Sequence, residues 1–318
     1  MGIKNLNTYL LQKCSTNSIF KTSIKTISGK SIAIDISIYL YKYLNQNVLL
    51  ENIYVMIHIF KCNNINPIFV FDGKSPIEKW DTIKERYEMR KSAEEEYLKL
   101  KTELENIEIS DSIKKEKLKE LNLIKQKTTK ITKEDIAKVK ELIQALGCQY
   151  IDAPGEADQL CAYLVNKGYA YGCLSDDMDM LLYGCPIIIR NLNLTDATIT
   201  IYNTENILKD IDIDMENFRK IIILAGTDYN KNVQNVSIDL NESIHFYRKF
   251  CEQNEESDFY RWILKYFPDH IKNLDRLDFV YNLFMLSNFD FEYLPNNIKS
   301  TNHKKIQELL EPEGFIFI

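Results

Sequence analysis

Residues 67–73 read PIFVFDG, a short apolar run that stops at an acid-bearing turn. Such a run, bounded by a turn pair, fits a strand buried on both faces. The pattern recurs. Ser31–Ile34 precedes Asp35, Ala170–Leu174 precedes Asp176 and Asp177, and Ile221–Leu224 precedes Gly226, Thr227 and Asp228. Helical periodicity fills the intervals, over Tyr39–Leu50, Glu51–Cys62, Lys133–Leu146 and Ala157–Asn166. Strands alternating with helices predict an α/β fold, a mostly parallel central sheet flanked by helices. Carboxylates placed just past the strand ends then collect along one sheet edge, where open α/β sheets bind ligands.

Residues 78–127 break the pattern. They hold thirteen basic and thirteen acidic residues and no Gly or Pro, with apolar positions too sparse for a core helix. One or two exposed helices are expected, inserted between the halves of the sheet. Beyond Asp228 the chain reads as helical over Glu242–Phe250, Phe259–Tyr266 and Leu277–Leu286, with an irregular tail from Asn288 and a last helix at His303–Leu310. The expected organisation is an N-terminal half of the core at 1–90, a charged helical cap at 91–132, an internal half at 133–230 and a helical C-terminal region at 231–318.

The 318 residues are 45% hydrophobic and 27% charged, enough apolar material for a core and against wholesale disorder. Net charge is −6, so the chain as a whole does not advertise nucleic-acid binding. Charge is segregated, however. Residues 1–34 carry Lys4, Lys13, Lys21, Lys25 and Lys30 and no acid, a pattern that suggests a basic rim beside the carboxylates or a solvated lysine-rich surface. The seven cysteines contain no CxxC and lack the paired ligands of a zinc site, which fits reduced thiols in the cytoplasm or nucleus. With no signal-peptide pattern and no apolar run near 18 residues, a soluble intracellular protein without membrane contact is expected.

Seven acids occupy similar positions: Asp35, Asp72, Glu156, Asp158, Asp177, Asp179 and Asp228. Singly, several fit helix starts or an Asp-Gly turn. Gathered on one edge they would repel one another and raise each other's pKa. Divalent cations resolve that conflict, and oxygen-only ligation without His or Cys selects Mg²⁺, with Mn²⁺ as a substitute, over zinc. Two such ions suit an in-line phosphoryl displacement, which makes phosphodiester hydrolysis the expected chemistry. Walker-A, GxGxxG and GxSxG motifs are absent.

With these residues in place, the chain resembles the flap endonucleases, the structure-specific 5′ nucleases that include the xeroderma group G-type enzymes. The matching pieces stand in the family's order: MGIKNL at 1–6, IAIDISIYLYKYL at 32–44, FVFDGKSPIEK at 69–79, DAPGEAD at 152–158, LSDDMDMLLYG at 174–184 and LAGTDY at 224–229. The resemblance implies a PIN-like 5′-nuclease core, with the seven acids as metal ligands for two Mg²⁺ ions. Asp158 stands where the family usually has Glu. It also implies that Lys79 and Arg86 contact the scissile phosphate, and Arg90 falls on the same helical face at spacings of seven and four. Tyr41 falls where the family stacks an aromatic on a base, Gly2 where a small residue lies near the site, and the charged insertion where a cap receives a 5′ single strand.

Two features depart from the family. The stretch NKNVQNVSIDLNE at 230–242 lacks the glycines of a helix-hairpin-helix, with Asn235 and Ser237 in their places and Asp239 where lysine is usual. Gln307 and Leu310 are followed by Glu313 and Gly314 instead of paired aromatics, so no sliding-clamp peptide is recognised. The leading expectation is a monomeric, Mg²⁺-dependent 5′ nuclease acting on branched or 5′-ended DNA in replication or repair. A 5′→3′ exonuclease on DNA or RNA and a catalytically silent nucleic-acid-binding scaffold remain open at this point.

Overall fold

In a computed structural model, the structure describes residues 3–106, 111–230, 238–253, 256, 258–293 and 300–317. Seven strands form one mixed sheet: β1 (Ile19–Ser23), β2 (Ser31–Asp35), β3 (Asn66–Phe71), β4 (Gln149–Asp152), β5 (Gly172–Leu174), β6 (Ile187–Asn193) and β7 (Thr198–Asn203), in the order β1-β7-β6-β5-β2-β3-β4. The run from β6 to β4 is parallel, and β7 and β1 add an antiparallel edge. The mostly parallel α/β sheet read from the sequence is therefore present. The antiparallel edge and β4 were not legible as strands.

Helices in the first half are α1 (Leu6–Lys13), α2 (Ser37–Asn45), α3 (Leu49–Cys62), α4 (Trp80–Asn106), α5 (Asp111–Thr128), α6 (Lys133–Ala145) and α7 (Ala157–Asn166). The second half contributes α8 (Thr204–Ile211), α9 (Met215–Ala225), α10 (Leu240–Gln253), α11 (Phe259–Tyr266), α12 (Leu274–Leu283) and α13 (His303–Leu310). Both faces of the sheet are covered. Ala33, Ile68, Val70 and Cys173 point into a core shared with α7 and α9. Ile32, Ile34, Phe69 and Phe71 alternate to the other face, against α3 and α6.

Several local expectations need correction. Ile221–Leu224 is not a strand but the last turns of α9, which Asp214 starts by accepting the Asn217 N–H at 2.9 Å. A four-residue apolar run has no period that separates strand from buried helix, and here it is buried on all sides. The expected helix Tyr39–Leu50 divides at Asn47, whose φ of 55° ends one helix before the next begins. Lys21 sits in β1, at the sheet's far edge, and Lys30 precedes β2 at the end opposite Asp35, so neither forms a rim beside the carboxylates.

The charged insertion is a helical hairpin, α4 against α5, and α4 runs unbroken through position 90. All seven cysteines are free thiols, with Cys161, Cys173 and Cys185 buried and Cys62 and Cys251 exposed. Asn235 and Ser237 lie outside the described residues. Asp239 is described: its carboxylate accepts the Glu242 N–H at 2.9 Å in the first turn of α10, so its immediate role is a helix cap.

Candidate metal and phosphate site

Strand register delivers the acids to one edge. Asp35 pairs with Val70, so Asp35 ends β2 within two residues of Asp72 beyond β3. Ile34 pairs with Leu174, which sets Ser175–Asp179 beside them. Gly73 makes the approach possible. A Cβ there would stand 1.9 Å from the Ala153 carbonyl oxygen, and its N–H donates to the Gly155 carbonyl at 2.7 Å. That contact puts Asp72 at the start of α7, where it accepts the Ala157 N–H at 2.8 Å and the Ser37 hydroxyl. Glu156 and Asp158 project from the same start. Asp228 arrives from the end of α9 through Gly226, whose φ of 107° turns the chain.

Asp35 is 4% exposed and accepts the Ser37 N–H and the Ser175 hydroxyl, each at 3.1 Å. The same Ser175 oxygen lies 3.5 Å from Asp158. Burial, and then the charge of Asp72, push the Asp35 carboxyl up to about 7. Burial followed by the charges of Asp35 and Asp177 raises Asp158 well above the carboxylate range, and burial with Asp177 does the same to Asp179. The Asp179 Oδ1 is buried without a hydrogen-bond partner among the described residues. Asp177 caps the turn Met178–Leu181 by accepting the Asp179 N–H at 3.0 Å, which fixes the pair in tandem.

Cations cover the outer acids. Lys79 Nζ lies 2.6 Å from Glu156 and 4.7 Å from the centre of the Tyr229 ring, while the Tyr229 hydroxyl donates to the same Glu156 carboxylate. Burial, the largest single influence, would lower the Lys79 pKa, but the charge and hydrogen bond of Glu156 together with the charges of Asp158 and Asp179 outweigh it and hold the ammonium above its ordinary value. Arg86 Nη2 lies 2.6 Å from Asp228, and the Thr82 hydroxyl donates to the Asp228 carbonyl at 2.8 Å. Residues 79, 82 and 86 thus moor the start of α4 to the site. Arg90, one turn on, is half-buried on α4, and Tyr41 is 44% exposed on α2. Gly2 lies outside the described residues.

The donor set fits hard divalent cations. Every candidate ligand is a carboxylate oxygen, three of the acids have pKa values forced up by burial and mutual repulsion, and one buried oxygen is unpartnered. Among the described residues, no group of three or more His, Cys, Asp or Glu side chains stands arranged to hold a metal ion. The hydrogen bonds and ion pairs just described hold Glu156, Asp228, Asp72 and Asp35 on protein partners.

Sequence reading missed the supporting residues. Ser37, Ser175 and Tyr229 bond to the acids but take their role from register and packing. Arg190 is buried behind the loop, donating to the Asp176 carbonyl and to Asn7, both at 2.8 Å, while the Asp176 carboxylate accepts the Asn191 N–H at 2.8 Å. These bonds tie the loop that bears Asp177 and Asp179 to β6.

Comparison with known proteins bears on the same residues. The XPG N-terminal domain matches residues 1–93, and the XPG I-region matches residues 147–228. A flap endonuclease 1 of Coprinopsis cinerea is 33% identical over 74% of this chain and 53% of its own length. That of Methanococcus aeolicus is 31% identical over 74% of this chain and 75% of its own. The chain therefore spans about half of the fungal relative and three quarters of the archaeal one. The catalytic core of Rad2, solved in complex with a DNA substrate, is similar in fold, with a TM-score of 0.67 at 22% identity over 98% of this chain and 95% of that one.

Proposed function

The chain belongs to the flap endonuclease family, and from that premise we propose that it is a divalent-metal-dependent, structure-specific 5′ nuclease. It hydrolyses a phosphodiester bond of DNA near a 5′ single-stranded end or flap, acting as a monomer in replication or repair. The observation that supports this reading is the crowding of acids that raises Asp35, Asp158 and Asp179, with Lys79 paired to Glu156 and Arg86 to Asp228 beside them. Among the described residues no helix is long and apolar enough to cross a membrane.

Asp35, Asp72, Glu156, Asp158, Asp177, Asp179 and Asp228 would together hold two Mg²⁺ ions or their Mn²⁺ substitutes. When bound, the ions supply Lewis acidity at the scissile phosphate and lower the pKa of the attacking water. The protein positions the substrate. Lys79 and Arg86 exchange their carboxylate partners for phosphate oxygens and stabilise the charge that develops there. Their mooring holds both cations at the site before substrate arrives, and each exchange trades one anionic partner for another. Tyr41, exposed on α2, stacks against the base next to the cut, Arg90 binds the following phosphate, and Gly2 leaves room for the strand.

The test is cleavage of end-labelled 5′ flap, nicked duplex, blunt duplex and single strands of DNA and RNA, in Mg²⁺ and in EDTA. Metal-dependent cutting near the flap base is expected, with Asp177→Ala abolishing cleavage and sparing binding. Stepwise release from 5′ ends would move the chain to the exonuclease reading, and unaltered cleavage by Asp177→Ala would overturn the site assignment.

A further inference from the structure

The first two turns of α4 carry two different surfaces. Lys79, Thr82 and Arg86 face the site. Beside them Trp80, Ile83 and Tyr87, spaced by three and four residues, form a stripe that is 66%, 42% and 60% exposed. Ile77, just before the helix, is 76% exposed. Two aromatic rings joined through an isoleucine and open to solvent mark a surface that meets something.

The helical period identifies the occupant. At 3.6 residues per turn, the stripe is bordered by Arg86 and Arg90 on one side and by Lys84 and Lys91 on the other, while Asp81 and Glu88 lie on the face opposite Arg90. A narrow aromatic row between two lines of cations suits a single nucleic-acid strand, whose flat bases stack while its phosphates reach to the sides. Trp80 and Tyr87 are separated by about 10.5 Å along the helix at about 1.5 Å per residue. Three stacked nucleotides at about 3.4 Å each have nearly the same length. The stripe also begins next to Lys79, so a strand leaving the carboxylates on this side runs onto it.

We propose that Trp80, Ile83 and Tyr87 form a stacking platform for the two or three unpaired bases nearest the cut. The inference rests on the nuclease reading and adds to it a subsite that binds bases rather than phosphates. It also accounts for the hairpin's balanced charge. A cap that holds its strand largely by stacking needs few cations.

Trp80 supplies its own probe. The chain has two tryptophans, and Trp262 is fully buried, so the solvent-exposed indole emission comes from Trp80. The full chain in EDTA is titrated with a labelled 5′-flap duplex, and with the same duplex whose first three flap nucleotides are abasic. The ordinary flap is expected to quench the emission and bind at least about fivefold more tightly for each stacked base. The abasic flap is expected to do neither. Trp80→Ala/Tyr87→Ala should bind both flaps equally, and Trp80→Phe should keep the preference while losing the quench, which separates stacking from misfolding.

Equal binding of both flaps by the unmutated chain, with flap cleavage intact in Mg²⁺, overturns the platform and leaves the nuclease reading standing. If no substrate is cleaved, the nuclease reading fails. Quenching by a free single strand but not by its abasic form still supports the platform, and no quenching overturns it too. Equal binding together with dimerisation that Trp80→Ala abolishes would assign the stripe to a second copy of the chain, and would also overturn the proposal.

Discussion

Asp179 is the most constrained side chain of the site: 3% exposed, one carboxylate oxygen unpartnered, and Asp177 two residues away. Its charged form costs stability whenever no cation offsets it. The sign for the cluster follows from the direction of the shifts. A carboxyl raised to about 7 in the folded chain, as at Asp35, keeps its proton while the unfolded chain has lost it, so stability falls as pH rises from about 4 to about 7. Asp158 and Asp179 shift in the same direction and extend the loss upward, while Lys79, raised above its ordinary value, stays charged throughout and opposes none of it. In EDTA the thermal midpoint should therefore be higher at pH 5.5 than at pH 8, and Mg²⁺ should recover the difference at pH 8. Asp179→Asn should raise the thermal midpoint of the chain in EDTA at pH 8 and abolish cleavage. A variant that melts lower than the unmutated chain in EDTA would contradict this account. At this scale the acids were legible, because a carboxylate such as Asp35 between Ile34 and Ile36 has no inexpensive structural excuse. Ser37, Ser175 and Tyr229 were not, because an ordinary serine or tyrosine announces nothing until register sets it against an acid.

Elements were read best where amphipathic period and length agreed. His303–Leu310, Phe259–Tyr266 and Ala157–Asn166 match their helices end for end. The parallel strands were legible because burial on both faces leaves continuous apolar runs at Ile32–Ile34 and Pro67–Phe71. That signal also explains the error at Ile221–Leu224, where burial on all sides erases the helical period. The antiparallel edge escaped because β7 alternates as TITIYN and β1 reads IFKTS, too short and too polar to stand out. The link between β3 and α7 passes through a close approach at Gly73. Any side chain at Gly73 drives a Cβ to 1.9 Å from a backbone oxygen, which cannot move without displacing the start of α7 with Glu156 and Asp158. Gly73→Ala should accordingly destabilise the chain by about 2–4 kcal/mol and reduce cleavage, because overpacking against backbone has no rotamer to relieve it. Gly155→Ala, whose Cβ meets nothing within 4 Å, is the control and should shift the midpoint little. Equal effects at the two positions would place the strain elsewhere.

At the scale of the whole molecule, the puzzle is a member of the flap endonuclease family with net charge −6 and a pI near 5.5. The charge distribution resolves it in part. The exposed lysines of the first thirty residues are scattered, with Lys21 on the sheet's far edge and Lys30 at the wrong end of β2. The cations aligned with the site and with the exposed stripe of α4 are Lys79, Lys84, Arg86, Arg90 and Lys91, and two of these are already paired with carboxylates. Five phosphate contacts at most release few counterions. On the scale of roughly 0.9 per phosphate, the slope of log affinity against log salt should be no steeper than about −4 to −5. Between 50 and 200 mM salt a 5′-flap duplex should then lose at most roughly 250- to 1,000-fold in affinity, less than a nuclease that grips six to ten phosphates. Arg90→Ala should flatten the slope by about one, because removing one phosphate partner removes about one released ion. Fluorescence anisotropy across a salt series in EDTA measures both. A slope steeper than about −5 would require a phosphate-binding surface outside α4. A slope unchanged by Arg90→Ala would remove that residue from the phosphate track and leave stacking and the two moored cations to hold the strand.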